Sequence, residues 1–190
     1  MRKFGITGSL ASGKTSALKI LGDLTDKKLI YSADETVKDI YNDKYYQNKI
    51  SKKLNISRVK NLKKFVKKLL IENKLKLSKL EKIIHPITRI KMNQFLKNNN
   101  KNKYVFLEIP LLIEKKMMRL FDVIIFVDAP RKLRLKRYLK KGGTINLFNN
   151  LENRQLSSKK KRRISNYTVV NKFSKTLLKK KLRIIIKKYE

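Results

Sequence analysis

One short segment constrains the fold of this chain more than any other. Residues 8–15 read Gly-Ser-Leu-Ala-Ser-Gly-Lys-Thr, which matches the phosphate-binding pattern G-x-x-x-x-G-K-[ST]. An apolar strand pattern precedes the segment and a helical pattern over residues 14–22 follows it, which is the context that the motif requires. Backbone N–H groups of such a loop converge on an anion, and the helix N-terminus adds positive potential. We therefore predict a site for a nucleoside triphosphate, with Lys14 at its β- and γ-phosphates.

The motif also predicts the residues of the nucleotide site. Those expected to hold ATP lie in or directly after the loop: Gly8, Ala11, Ser12, Gly13, Lys14, Thr15 and Ser16. The Thr15 hydroxyl is a candidate Mg²⁺ ligand, and Glu108, after an apolar strand, is a candidate to reach the metal through a water. A polar residue that only ends a strand is the alternative interpretation of Glu108. The chain has no N-K-x-D guanine motif, which disfavours a GTPase. A single phosphate loop with a strand-free segment after the second strand favours a phosphotransferase for a small acceptor, and a kinase for a nucleoside, nucleotide or sugar is one alternative.

Apolar runs predict an α/β fold with a parallel sheet. Five runs read as strands, at residues 4–7, 28–31, 104–107, 122–127 and 167–170. They alternate with helical patterns, and continuous apolar runs are typical of parallel strands covered on both faces. Residues 36–100 have no strand pattern and hold helical patterns that we expect Pro86 to divide. A polar helical hairpin is expected at residues 144–165.

Composition restricts the class of partner. The chain of 190 residues has 50 Lys and Arg against 14 Asp and Glu, a net charge of +36. Lys outnumbers Arg 39 to 11, and residues 1–35 are nearly balanced, with six basic and four acidic groups. Bidentate recognition of phosphates and guanine favours Arg over Lys. The excess of Lys therefore indicates a general bias of amino-acid composition rather than a nucleic-acid site. We expect no specific nucleic-acid partner.

The same composition predicts a cytoplasmic protein without a membrane segment. No Cys is present, which excludes disulfides and cysteine-based metal sites. The longest apolar stretch, residues 123–127, is far shorter than the roughly 20 residues of a membrane span. The first residues run straight into a strand pattern, which leaves no room for a signal peptide. We expect a monomer or a small homo-oligomer.

Two further positions are candidates for the acceptor side of a reaction. Asp34 follows the second predicted strand, at the carboxyl edge of the sheet where ligands bind, and is a candidate general base. A charge that stabilises a helix N-terminus is the alternative. His85, the only histidine, precedes Pro86 and is followed by Arg89, a set that suits a phosphorylated acceptor. A histidine in a core or at a helix end is the alternative.

Several separated motifs together resemble the dephospho-coenzyme A kinase family. They lie in order at residues 7–16, 30–34, 84–89, 109–114 and 127–130, with Arg154, Gln155, Lys161 and residues 169–171. The His-Pro pair at 85–86 and Pro-Leu-Leu-x-Glu at 110–114 are more specific than the phosphate loop. The resemblance covers nearly the whole chain, and it implies transfer of the ATP γ-phosphate to the 3′-hydroxyl of the dephospho-coenzyme A ribose.

The resemblance also implies roles for residues and segments. Asp34 is the implied base, Lys14, Arg137 and Arg154 are the implied catalytic cations, and Asn171 is implied to read adenine. The residues implied to bind the acceptor are Asp34, His85, Pro86, Arg89 and Leu111. The implied organisation is a P-loop kinase core (1–33, 103–139 and 164–190), a helical acceptor-binding insertion (34–102) and a helical lid (140–163).

The chain departs from the family pattern at several positions. Ser9 and Ala11 stand where the loop usually has glycines, so a loop position with positive φ would be strained. Ser32-Ala33-Asp34 replaces the usual Asp-Ala-Asp but keeps the second carboxylate. Glu108 replaces an Asp and is one methylene longer. None of these changes removes a chemical group that the reaction requires.

Overall fold

A computed structural model of the chain describes residues 1–55 and 74–190, with Leu62, Phe65, Val66 and Leu69 between them. The chain forms two compact units: Met1–Ser32 with Asn99–Glu190, and Ala33–Asn98. Part of the predicted insertion, within residues 56–73, lies outside the described residues. No described helix has both the length and the apolar character needed to cross a membrane.

The first unit contains the predicted parallel sheet. Its strands are β1 (Arg2–Gly8), β2 (Ile30–Ser32), β3 (Tyr104–Glu108), β4 (Val123–Asp128) and β5 (Tyr167–Val170). Among the described residues these five strands form one sheet in the order β2-β3-β1-β4-β5, and every pairing is parallel. The predicted α/β class with five parallel strands is confirmed.

Helices of both units connect these strands. They are α1 (Lys14–Leu24), α2 (Ala33–Asn42), α3 (Lys44–Lys53), α4 (Lys74–Asn98), α5 (Arg131–Lys140), α6 (Ile145–Asn153), α7 (Ser158–Ile164) and α8 (Lys175–Lys187). The core of the first unit lies between the sheet and helices α1 and α8, with Phe4, Ile6, Leu21 and Leu182 fully buried. Since β1 is the central strand, its carboxyl end presents the phosphate loop at the middle of the sheet edge.

The second strand lies later in the chain than its apolar pattern predicts. Residues 28–31 were expected to be extended, but Lys27–Leu29 forms a turn of 3₁₀-helix and β2 begins at Ile30. The Asp26 carboxylate accepts a hydrogen bond from the Lys28 N–H at 2.9 Å and so caps this turn. An aspartate that bonds the backbone two residues ahead favours a turn over a strand.

The second unit is helical in its described part. Its core joins α2, α3 and α4 through Ile40, Ile50, Leu80 and Ile84, and Leu62 and Leu69 are buried in the same cluster. The expectation that Pro86 divides the helical patterns is wrong, because α4 continues through it. A proline inside a helix costs about 3 kcal/mol. Apolar residues on both sides of Pro86 pack in this one core, which offsets that cost.

Candidate active site

The phosphate loop joins β1 to α1 with two residues at positive φ. Gly13, directly before α1, has φ +100°, and Ala11 has φ +57°. A Cβ atom at Gly13 would lie 2.1 Å from Asn171 Nδ2, so both the backbone conformation and the space require glycine there. The expected strain falls on Ala11, whose Cβ makes a left-handed conformation unfavourable.

Two polar side chains of the phosphate loop, Lys14 and Ser12, have the chemistry to bind an anion. Lys14 is 8% exposed, and its Nζ donates to the carbonyls of Gly8 (3.3 Å) and Ser9 (3.2 Å). The Ser12 hydroxyl is buried and has no hydrogen-bond partner among the described residues. A buried donor without a partner is costly, and a phosphate oxygen is a ligand that would satisfy it. Ser16 follows in the first turn of α1.

Glu108 links the loop to the neighbouring strand. It is fully buried at the end of β3, and Ser32 lies opposite it in β2. Thr15 Oγ1 donates to Glu108 Oε1 and Ser32 Oγ donates to Glu108 Oε2, each at 2.9 Å. A hydroxyl beside a carboxylate is the hard oxygen donor set that Mg²⁺ prefers. These residues therefore fit a magnesium ion, and the metal-ligand roles of Thr15 and Glu108 stay predictions.

Two residues predicted to lie near the nucleotide, Asn171 and Arg137, form hydrogen bonds to the phosphate loop at Ser12. Asn171, directly after β5, donates from Nδ2 to the Ser12 carbonyl at 2.8 Å. Arg137 of α5 donates from Nη1 to the Ser12 carbonyl (3.3 Å) and from Nη2 to the Asn171 carbonyl (3.1 Å). The fold thus brings Arg137 and Asn171, 34 residues apart in the chain, to the same face of the phosphate loop. The adenine contact expected of Asn171 stays a prediction.

Arg134 contacts the same loop, although no sequence motif marks it. Its guanidinium is buried and donates to the carbonyls of Ala129 (3.1 Å) and Leu10 (3.3 Å). It also forms an ion pair with Glu152 of α6, with Nη2 and Oε1 2.6 Å apart. Arg134 and Arg137 are three residues apart on one helix and so share a face. The spacing of three residues from Arg137 is the sequence signal that points to Arg134.

Two helices, α6 and α7, form within the predicted residues 144–165, and the side chains of Gln155 and Ser158 contact the phosphate loop. Gln155 Oε1 accepts from the Leu10 N–H at 3.1 Å, and the hydroxyls of Ser9 and Ser158 are 3.2 Å apart. Lys161 is fully buried, and its Nζ lies 2.8 Å from Glu114 Oε1. Burial lowers the pKa of Lys161, and the Glu114 carboxylate opposes that shift. Arg154, predicted to approach the phosphates, is exposed at the end of α6.

The predicted acceptor residues fall mostly in the second unit. Asp34 is exposed in the first turn of α2, and His85, Pro86 and Arg89 are exposed on α4. His85 is thus neither a core residue nor at a helix end, which were the alternatives to a binding role. Leu111 belongs to the first unit, where it is half-buried in the turns after β3.

The sheet order and the phosphate loop between the central strand and α1 define this chain as a P-loop protein of the α/β class. The dephospho-CoA kinase family model matches residues 3–176, and the chain belongs to that family. A dephospho-CoA kinase of Rickettsia typhi is 31% identical over 191 residues, which covers 100% of this chain and 98% of the relative.

Solved structures share the fold. A protein of Thermus thermophilus known from a crystal structure superposes with a TM-score of 0.82 at 23% identity, covering 98% of this chain and 97% of the other. A dephospho-CoA kinase from Campylobacter jejuni has a TM-score of 0.66 at 22% identity, covering 100% of this chain and 97% of the other. At these identities the likeness concerns the fold.

Proposed function

We propose that this protein transfers the γ-phosphoryl group of ATP to the 3′-hydroxyl of the dephospho-coenzyme A ribose, which yields coenzyme A and ADP as the last step of coenzyme A synthesis. The observation that carries the proposal is the phosphate loop, with buried Lys14 and the unpartnered Ser12 hydroxyl, in a chain of the dephospho-CoA kinase family. A loop of this kind binds phosphates, and family membership supports the acceptor.

The donor side follows from the contacts of the loop. We infer that the Lys14 ammonium exchanges its bonds to the Gly8 and Ser9 carbonyls for the β- and γ-phosphates of ATP. The backbone N–H groups at the start of α1 add positive potential at the same place. Arg137, already bound to the Ser12 carbonyl, lies beside the loop and adds a cation near the phosphates. Negative charge that develops during transfer is thus stabilised by Lys14, Arg137 and the N–H groups of α1.

Thr15 and Glu108 are the residues that would hold Mg²⁺. Because Glu108 accepts the hydroxyl hydrogen of Thr15, the lone pairs of Thr15 Oγ1 remain available to a cation. Ser32 binds the second carboxylate oxygen and keeps Glu108 oriented. A magnesium ion at this position supplies charge neutralisation at the β- and γ-phosphates.

The acceptor side rests on the residues that the family resemblance implies. Asp34 accepts the proton of the 3′-hydroxyl while the hydroxyl oxygen bonds to the γ-phosphorus and the bond from that phosphorus to ADP breaks. His85, Pro86, Arg89 and Leu111 bind the acceptor, with residues 34–102 as the acceptor-binding insertion. Residues 140–163, with Arg154, act as a lid that excludes water and so suppresses hydrolysis of ATP.

A coupled assay of ADP formation tests the proposal. With Mg·ATP, the wild-type protein should form ADP only when dephospho-coenzyme A is added, and Lys14→Ala and Asp34→Asn should each lose at least 100-fold in kcat, on the order expected for groups of this kind. The matched controls are Lys19→Ala and Asp39→Asn, exposed residues of the same two helices. ADP formation that does not depend on dephospho-coenzyme A would contradict the proposal.

The proposal extends to the surroundings of the enzyme. We expect a cytoplasmic monomer or small homo-oligomer without a specific nucleic-acid partner, in which the positive surface steers anionic substrates. The alternative, a nucleic-acid-binding protein driven by its lysines, predicts DNA affinity that falls steeply with salt and is retained in Lys14→Ala. Tight DNA binding at 0.15 M salt that Lys14→Ala leaves intact, without kinase activity, would instead support a nucleic-acid-binding protein.

A further inference from the structure

Both main-chain polar groups of Leu10, at the apex of the phosphate loop, are held by side chains from distant parts of the chain. Gln155 Oε1 accepts the Leu10 N–H at 3.1 Å. Arg134 Nη1 donates to the Leu10 carbonyl at 3.3 Å. These partners lie 145 and 124 residues away in sequence, on the segment between α6 and α7 and on α5. We call Gln155 and Arg134 the Leu10 clamp.

Each half of the clamp is itself held by an ion pair. Arg134 is 5% exposed and pairs with Glu152, at 2.6 Å. Gln155 Oε1 also accepts from Lys161 Nζ, at 3.4 Å, and Lys161 is fully buried against Glu114. Charged groups that are buried and paired have few alternative positions, since each alternative breaks a pair away from water. The clamp is therefore a stiff connection between the loop apex and helices α5 to α7.

The stiff connection acts on the backbone conformation of Ala11, which follows Leu10. Ala11 has φ +57°, a conformation that an alanine resists and a glycine adopts freely. A free loop would tend to relax away from this conformation. Holding the N–H and the carbonyl of the preceding residue opposes that relaxation.

We propose that Gln155 and Arg134 are positioning residues that keep the loop apex in its ATP-binding conformation and offset the strain at Ala11. The proposal rests on the proposed binding of ATP in this loop. It assigns to Gln155 a role in nucleotide affinity and not in the chemical step, because its amide binds the loop backbone.

The test is a double-variant cycle on nucleotide affinity. The dissociation constant of Mg²⁺ with a non-hydrolysable ATP analogue is measured by calorimetry for wild type, Gln155→Ala, Ala11→Gly and the double variant. Gln155→Ala should weaken binding about five- to thirtyfold, the range that corresponds to the strain of one left-handed residue. In the double variant, Ala11→Gly should restore most of the affinity that Gln155→Ala loses, because a glycine adopts the left-handed conformation without help from the clamp. The KM for dephospho-coenzyme A should stay unchanged.

The controls separate this role from a general loss of structure. Gln47→Ala removes a glutamine whose Nε2 donates to the Tyr41 carbonyl in the other unit, and it should leave ATP affinity unchanged. If Gln155→Ala does not fold, Arg134→Lys carries the same cycle, because a lysine cannot bind Leu10 and Glu152 as the guanidinium does.

Two results overturn the clamp. One is an affinity of Gln155→Ala within twofold of wild type, and the other is a loss of affinity that Ala11→Gly fails to recover. If wild-type protein does not bind the analogue at all, the proposed function fails and the clamp fails with it. Binding by wild type with no effect of the clamp variants removes only the clamp.

Discussion

Replacing Gly13 by alanine tests how tightly the phosphate loop is packed against β5. Two separate costs are expected. The residue has φ +100°, and a side chain in a left-handed conformation costs about 1–2 kcal/mol. The new Cβ would also lie 2.1 Å from Asn171 Nδ2, so the Asn171 amide must leave the Ser12 carbonyl. Losing that hydrogen bond adds about 1–2 kcal/mol, although Arg137 still donates to the same carbonyl.

The sum is about 2–4 kcal/mol, which for a chain of this size lowers the Tm by roughly 5–15 °C. Thermal and urea unfolding of Gly13→Ala measure it. Gly142→Ala is the matched control, because Gly142 also has positive φ (+76°) but has no heavy atom within 4 Å of the position of a Cβ. It should cost only the backbone strain, about 1–2 kcal/mol.

A second background isolates the collision. In Asn171→Ala the amide that the Cβ meets is gone, so Gly13→Ala should there cost no more than Gly142→Ala does. The two substitutions are thus expected to be non-additive by about 1–2 kcal/mol, as contacting residues usually are. Equal costs of Gly13→Ala in both backgrounds, or a cost equal to that of Gly142→Ala in wild type, would refute the collision.

Three further predictions concern buried ionisable groups. Glu108→Gln keeps the shape of the side chain and removes its charge. The KM for Mg·ATP should rise about tenfold, while the affinity for ATP measured in EDTA stays unchanged. Equal changes of both quantities would exclude a role of Glu108 at the metal. Lys161→Met should lower the free energy of urea unfolding by about 3–5 kcal/mol because Glu114 is left buried without its cation, and adding Glu114→Gln should recover part of the loss. Burial and the nearby Glu81 carboxylate raise the pKa of Tyr41 to about 12. As the pH rises, Tyr41 therefore loses its proton in the unfolded chain, with a pKa near the ordinary value of about 10, before it does so in the folded chain. The free energy of unfolding should then fall by about 1 kcal/mol from pH 9 to pH 11. Tyr41→Phe should lack this contribution to the fall.

The local features of this protein could be predicted because their determinants are contiguous. The phosphate loop is defined by eight successive residues between a strand and a helix. In the structure Gly13 lies directly before α1 and Lys14 begins it, as the motif requires. Strands β3 and β4 follow from continuous apolar runs that are buried on both faces. Errors occurred where a neighbouring group competes with the pattern. Asp26 turns residues 27–29 away from the sheet, and packing on both sides of Pro86 keeps one helix intact.

The sequence by itself thus determined the class of fold, the phosphate loop and, through separated motifs, the family. Tertiary structure alone decided which side chains support the loop. Ser32 binds Glu108, Asn171 and Arg137 bind the Ser12 carbonyl, and Arg134 and Gln155 bind the main chain of Leu10. These pairs are 76 to 159 residues apart. Their contacts depend on the strand order β2-β3-β1-β4-β5. Apolar runs do not encode that order, because every buried parallel strand shows the same continuous pattern whatever its neighbours are.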